Sequence, residues 1–173
     1  MAARDHQRDG KPGGPARRVM KRQASDNTYL HRDFHGALNQ ALIYLEEKFG
    51  ADAVREYLRQ FARSFYSALT REIKERGLEA LRDHLERIYV LEGAKFSIKC
   101  SADELVLTVD ACPAVAHIRK MGLPVSRHFA ETTRTVNAAI CDGTGYTFEL
   151  LEYDRKSGRR VERYSRRRSG RRR

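Results

Sequence analysis

The sequence predicts an α+β fold in which an N-terminal layer of three helices packs with a small antiparallel sheet. Apolar residues recur at helical spacing over residues 34–89, and they alternate at period two over residues 96–109 and 146–164. The helices and strands also come in blocks instead of alternating one by one, which is typical of α+β proteins with antiparallel sheets. The predicted order of elements is ααα-ββ-αα-ββ.

Each of the three leading helices is predicted to end at a glycine. Gly50, Gly77 and Gly93 follow apolar stripes that repeat every three to four residues, and glycine is the usual residue just after a helix. Pro113 suits the first turn of a later helix. The remaining predicted elements are a hairpin over 96–109, helices over 112–122 and 126–141, and a final hairpin over 146–164 whose turn is "RKSG".

The net charge of +11 is concentrated in two tails. Residues 1–25 carry +5 and residues 155–173 carry +10, so the part between them carries −4. Residues 1–25 and 165–173 have too few apolar side chains to offset the entropy of ordering, so we predict that they are disordered. A single α+β domain is expected over residues 26–164, between a basic tail and an Arg-rich tail.

The cysteine count favours a reducing compartment. The chain has three cysteines, Cys100, Cys112 and Cys141, and its basic start is not followed by the apolar segment of a secretory signal. An odd number of cysteines without such a signal favours the cytoplasm over a disulfide framework. Cys100 alternates with Phe96 and Ile98, which predicts a core position. No apolar run reaches the roughly 18 residues of a membrane span, so no membrane partner is expected.

The segment "YLHRDFHGALNQ" holds His31, Asp33 and His35, which is a spacing that merits a test for metal binding. Two histidines four residues apart share one helix face and can bind one metal ion, whereas Asp33 points to the other side. The alternative is that both histidines are half-buried with hydrogen-bond partners and that Asp33 caps the helix. A structural zinc site needs about four ligands, and His117 and Cys112 would be the other candidates.

The stretch "VDACPAVAHIRKMG" places Cys112 where a strand ends and a helix begins. A thiol at a helix N-terminus lies near the positive end of the helix dipole and near unpaired amides, which stabilises a thiolate. The alternative is that Cys112 fills the junction as a small apolar residue. Cys141, which ends a later helix, has the same two interpretations. Arg127 and Arg134 are candidates for holding a substrate carboxylate, or are surface residues.

Residues 103–153 resemble the C-terminal half of the L-2-amino-thiazoline-4-carboxylic acid hydrolase-like family. In both, a strand runs into a cysteine, a short helix ends at a glycine, and a threonine-bearing helix leads to a second cysteine just before a strand. The matching parts here are Cys112, Gly122, Thr132, Thr133, Thr135 and Cys141. The helical front half, which includes residues 29–50, looks like the helical half of such proteins.

The resemblance implies an α+β domain that hydrolyses or binds a small organic molecule. The named member of the family opens a thiazoline ring by adding water to its C=N carbon, which needs a nucleophile and a proton carrier. The resemblance implies Cys112 as the nucleophile and His31 or His35 as the proton carrier. Thr133 and Cys141 are implied in substrate binding, together with the arginines named above.

Three functions follow as hypotheses. The first is a cytoplasmic hydrolase that acts on a C–N bond of a small heterocyclic or amide substrate. The second is a non-catalytic module of the same fold that senses a ligand or a metal. The third is weak, non-specific binding of nucleic acid by the Arg-rich C-terminal segment, which contains Tyr164 but no aromatic platform or reading helix. The sequence specifies no cofactor and no oligomeric state.

Overall fold

The computed structural model describes residues 33–167 and confirms the α+β fold. Every strand of its four-stranded sheet pairs antiparallel with its neighbours, and the strand order is β1-β2-β4-β3. Both predicted hairpins are present. The helices are α1 Asp33–Phe49, α2 Ala51–Phe65, α3 Ser67–Arg76, α4 Leu78–Glu92, α5 Pro113–Lys120 and α6 Glu131–Cys141, and the strands are β1 Phe96–Cys100, β2 Glu104–Val109, β3 Tyr146–Tyr153 and β4 Arg160–Arg166.

The N-terminal layer has four helices, so the prediction of three is wrong in number. The second predicted helix is interrupted at Tyr66, where the backbone leaves the helical region with φ −96° and ψ 15°. The Ser67 hydroxyl donates a hydrogen bond to the Ser64 carbonyl at 3.2 Å across this break. A serine side chain that bonds to the local backbone competes with regular helix geometry, and the apolar stripe continues across the break undisturbed.

The helices cover one face of the sheet, with α4 on β1 and β2 and α6 on β3. Leu105, Leu107 and Val109 point from β2 into this interface and are fully buried. Cys100 is exposed at the end of β1, so its predicted core position is wrong. Cys100 lies at the end of the edge strand β1, next to the turn that leads to β2. The alternation of apolar and polar residues continues to this position, but the helices do not cover it.

Asn39 ties α1 to the segment that leads into α6. Its amide nitrogen donates to the Pro124 carbonyl at 2.8 Å, and its amide oxygen accepts from the Ser126 backbone N–H at 2.8 Å. Asn39 is fully buried, so its loss would leave two backbone groups without partners away from water. This contact fixes the position of residues 124–126 against the helical layer.

The boundaries of the predicted domain differ slightly from those of the described elements. Strand β4 continues to Arg166, so Ser165 and Arg166 belong to the sheet although the sequence assigned them to the Arg-rich tail. The predicted N-terminal tail and residues 168–173 lie outside the described residues. Asp33 is the first described residue of α1, and its role as a helix cap stays a prediction.

Candidate functional site

A cavity of about 780 Å³ lies between the helical layer and the inner face of β4. This volume is within the range of small-molecule sites, which are mostly apolar with a few polar groups. Phe61, Leu69 and Ile140 are among the aromatic and aliphatic side chains of its walls. Exposed charged residues, including Asp83 and Arg87, line its outer part. We call this space the helix–sheet cavity.

One end of the helix–sheet cavity is formed by a hydrogen-bonded group of buried polar side chains, which we call the floor cluster. Arg160 binds Glu162 at 2.6 Å and also donates to the hydroxyl oxygen of Tyr89. The second carboxylate oxygen of Glu162 accepts from Tyr164 at 2.8 Å and from Asn137 at 3.0 Å. Arg160 and Glu162 are 5% and 1% exposed, so neither charge is solvated by bulk water.

The protonation states of the floor cluster follow from its burial. Burial raises the pKa of Tyr89 and of Tyr164, so both phenols are neutral near pH 7. Burial opposes the charge of Arg160, but the Tyr89 oxygen and the Glu162 carboxylate outweigh it, so the pKa of Arg160 lies above its usual value. The floor cluster therefore combines one cation and one anion, with a net charge of about zero.

Cys112 lies beside the floor cluster at the N-cap position of α5, as the sequence predicted. Its backbone N–H donates to the Ser157 carbonyl at 2.9 Å, which fixes the start of α5 against the β3–β4 turn. Cys112 and Arg160 line the same cavity. Cys112 is 9% exposed and lines the cavity, so it can contact a bound molecule.

The β3–β4 turn that holds Cys112 is itself ordered by Asp154. The Asp154 carboxylate accepts hydrogen bonds from the backbone of Lys156 at 3.1 Å and from both the backbone and the hydroxyl of Ser157. These hydrogen bonds, led by that of the Ser157 hydroxyl, lower the pKa of Asp154 to about 2. The turn thus presents the Ser157 carbonyl to Cys112 in one defined position.

His35 is half-buried on α1 and lines the cavity, and its Nε2 lies 3.3 Å from a carboxylate oxygen of Glu92. The structure therefore brings His35 and Cys112 to the same cavity, while His31 lies outside the described residues. Among residues 33–167 there is no group of three or more His, Cys, Asp or Glu side chains that could hold a metal ion.

The helical side of the cavity carries two further ionisable groups that are held neutral. Burial, assisted by the nearby charge of Arg87, lowers the pKa of His84 to about 4. Burial also raises the pKa of Tyr66 to about 12. The two rings pack edge to face, with centroids 5.8 Å apart. Near neutral pH these two side chains offer hydrogen-bonding groups that carry no charge.

The four predicted substrate-binding residues fall in three places. Thr133 lines the helix–sheet cavity, and its role in binding stays a prediction. Arg127 and Arg134 are exposed and line a different cleft near the start of α6. Cys141 is buried and lines none of these spaces, and burial raises its thiol pKa to about 12. The helix–sheet cavity thus contains Thr133 but neither of the predicted arginines.

The floor cluster itself was missed by sequence reasoning. Arg160, Glu162 and Tyr164 occupy alternate positions of β4 and share its inner face, whereas Val161 lies on the outer face. The signal for a common face is the i, i+2, i+4 spacing. It was obscured because charged residues occur on both faces of "RVERY", so the hydropathy pattern does not reveal which face is buried.

No protein-family model matches the chain, and no curated protein matches it with significant similarity. The family resemblance and the activity that it implies therefore stay predictions. Within the described range of residues, no helix is both long enough and apolar enough to cross a membrane.

Proposed function

We propose that the chain binds a small organic molecule in the helix–sheet cavity. The observation that carries this proposal is the hydroxyl group of Tyr89 on the cavity floor. Its oxygen accepts from Arg160, and its own proton has no acceptor among residues 33–167. A buried phenol normally has an acceptor for its proton, and a ligand in the cavity would supply one.

The chemistry of the floor favours a neutral polar group on the ligand. Arg160 and Glu162 already neutralise each other, so a further charge placed beside them would be desolvated without a partner. A carbonyl oxygen, an amide oxygen or a C=N nitrogen would accept the Tyr89 proton without that penalty. The aromatic and aliphatic walls would enclose the rest of the molecule.

The cavity can be tested by filling it. Ala68 lines the cavity, whereas Ala138 is exposed on α6. We expect that a member of a panel of neutral aryl amides binds the wild-type chain in isothermal titration calorimetry. Ala68→Phe should weaken its binding by about tenfold or more, since the added ring occupies the same space.

Ala138→Phe is the matched control and should bind the amide as the wild type does. Thermal unfolding of both variants checks that the substitutions leave the chain folded. Failure of every amide in the panel to bind, or equal affinity of Ala68→Phe and Ala138→Phe, would contradict the proposal.

Hydrolysis of a C–N bond is the second candidate function, and it is favoured by the presence of Cys112 and His35 on one cavity. The Cys112 sulfur would attack the electrophilic carbon, with Tyr89 donating to the atom that gains electron density. His35 would take the proton that the thiol loses and pass it to the departing nitrogen. Water would then release the product from sulfur, so the overall reaction adds one water. If no bond is cleaved, the chain would instead be a non-catalytic module that senses the molecule bound in this cavity.

L-2-amino-thiazoline-4-carboxylate is the substrate to test for this second function. We expect a product one water heavier by mass spectrometry, and a rate lower by about a hundredfold or more in Cys112→Ala, since the nucleophile is lost. Cys100→Ala is the control because Cys100 is exposed at the end of β1. Equal turnover by Cys112→Ala would remove its thiol from the mechanism, and amide binding without turnover of the thiazoline would favour the sensing module.

We also propose the cytoplasm as the location, supported by the three free cysteines in the described part of the chain. Nucleic-acid binding by the Arg-rich segment stays a prediction with less support, because part of that segment is in the core. Arg160 and Tyr164 are 5% and 0% exposed and cannot contact a phosphate backbone in this fold.

A further inference from the structure

A second cleft lies outside the helix–sheet cavity, between the start of α6, the end of β3 and residues 123–130. It consists of two adjoining cavities of about 420 and 520 Å³, which share Arg127, Ala130, Tyr153 and Arg155. We call it the basic cleft, because five arginines line it: Arg55, Arg119, Arg127, Arg134 and Arg155.

The basic cleft has more positive charge than its own acids neutralise. Arg55, Arg127 and Arg134 pair with Asp52, Glu46 and Glu131, respectively. Arg119 and Arg155 are exposed and have no ion pair within residues 33–167. The cleft therefore has two unbalanced guanidinium groups, which is the arrangement that attracts an anion.

The paired arginines also keep donors for a ligand. Arg127 uses its Nε to bind Glu46, and its side chain is 75% exposed, so both terminal nitrogens remain accessible. Arg134 uses one terminal nitrogen for Glu131. The planar guanidinium group of an arginine can bind two oxygens of a phosphate at once. Several guanidinium groups around the basic cleft therefore favour a phosphoryl group over a single carboxylate.

The smaller of the two cavities has a different character from the larger one. Leu123, Pro124, Val125 and Phe129 form an apolar wall there, and Tyr153 stands between the two cavities. Such a wall with one aromatic ring suits a planar heterocycle, which can stack on the ring. The wall is also held in place, because Asn39 binds the backbone on both sides of Val125. The site therefore requires little ordering when a ligand binds.

We propose that the basic cleft binds a nucleoside phosphate, with its base against the apolar wall and Tyr153 and its phosphates among the arginines. One ring site beside one phosphate site, bounded by residues 123–130 on one side and α2 on the other, matches a single nucleotide better than an extended strand. This inference goes beyond the proposed function, since the basic cleft and the helix–sheet cavity lie on different sides of α6 and share only Phe129.

Titration of the full chain with ADP in a calorimeter tests the proposal. Arg155→Gln removes a cleft cation that has no ion pair in the described residues. Arg71→Gln is a matched control on α3, because it removes the same charge from an arginine that is also exposed. We expect Arg155→Gln to weaken ADP binding by about tenfold, as for the loss of one charge-assisted contact. Arg71→Gln should stay within about twofold of the wild type.

Titrations with other ligands distinguish a nucleotide site from an anion site and from a nucleic-acid site. Inorganic phosphate and adenosine should each bind more weakly than ADP; phosphate binding as tightly as ADP would overturn the role of the apolar wall. Equal weakening by Arg155→Gln and Arg71→Gln would indicate attraction to overall charge and overturn the site. A single-stranded oligonucleotide that binds more tightly than ADP and depends on Arg155 would replace the nucleotide by a nucleic acid. Absence of ADP binding at millimolar concentration would overturn the proposal outright.

Discussion

Replacing Glu162 by leucine is expected to lower the free energy of unfolding by about 3–5 kcal/mol, which is a typical loss when one partner of a buried ion pair is removed. The substitution leaves the guanidinium of Arg160 buried without its carboxylate, since Arg160 is only 5% exposed. It also removes the acceptor of the Tyr164 hydroxyl and of the Asn137 amide. Urea denaturation followed by circular dichroism measures the loss.

Two further variants show whether the loss comes from the isolated charge. Arg160→Met combined with Glu162→Leu removes both charges, so we expect the double variant to be more stable than Glu162→Leu alone. Glu149→Leu breaks the Arg163–Glu149 pair at 2.5 Å on the exposed face of the same sheet, and it should change stability little because solvent screens that pair. A loss in Glu162→Leu no greater than in Glu149→Leu would contradict the account of the floor cluster.

Replacing Gly158 by alanine is expected to lower the free energy of unfolding by about 2–4 kcal/mol. Gly158 has φ +70°, and a Cβ added there would lie 2.4 Å from the Cβ of Cys112 and 3.0 Å from a methyl group of Val115. Both neighbours belong to the start of α5, which the Ser157 carbonyl fixes. The helix must therefore shift, or the β3–β4 turn must open. Thermal and urea denaturation measure the effect.

Gly93→Ala is the matched control for this substitution. Gly93 has nearly the same dihedral angle, φ +68°, and nothing lies within 4 Å of an added Cβ. It should show only the backbone strain of about 1 kcal/mol. If Gly158→Ala destabilises the chain no more than Gly93→Ala does, the close packing of the turn on Cys112 does not contribute to the free energy of unfolding.

The fold class was predictable because its signals are local. The helical spacing of apolar residues predicted α1 and α4, and the alternation of apolar and polar residues predicted the hairpin of β1 and β2. Each of these patterns lies within one continuous segment of the sequence. The break at Tyr66 was not predictable in this way, because the apolar stripe crosses it without interruption. The strand order was not predictable either, because it depends on which hairpin edges meet.

The candidate site was predictable only in part, and the reason is physical. The N-cap position of Cys112 was predicted because helix starts have a sequence signature, whereas the role of Thr133 is implied by the family resemblance and stays a prediction. Arg160 and Glu162 were not found, since charged residues are normally exposed and are buried only when a partner is present. That partnership is created by β4 lying between β2 and β3 over the helices, and no single segment of sequence encodes it.

The strand order also affects how the sheet forms while the chain is being synthesised. Strand β4 pairs on one side with β2 and on the other with β3, although it follows both in the chain. While synthesis proceeds, β2 and β3 have no contact with each other in the sheet and each keeps an open edge, which is a template for unwanted pairing. The two halves of the sheet can join only when β4 has left the exit tunnel. The pairing of β2 and β3 with β4 is therefore a late step in the assembly of the sheet, and we expect the packed helices to keep the chain compact until then.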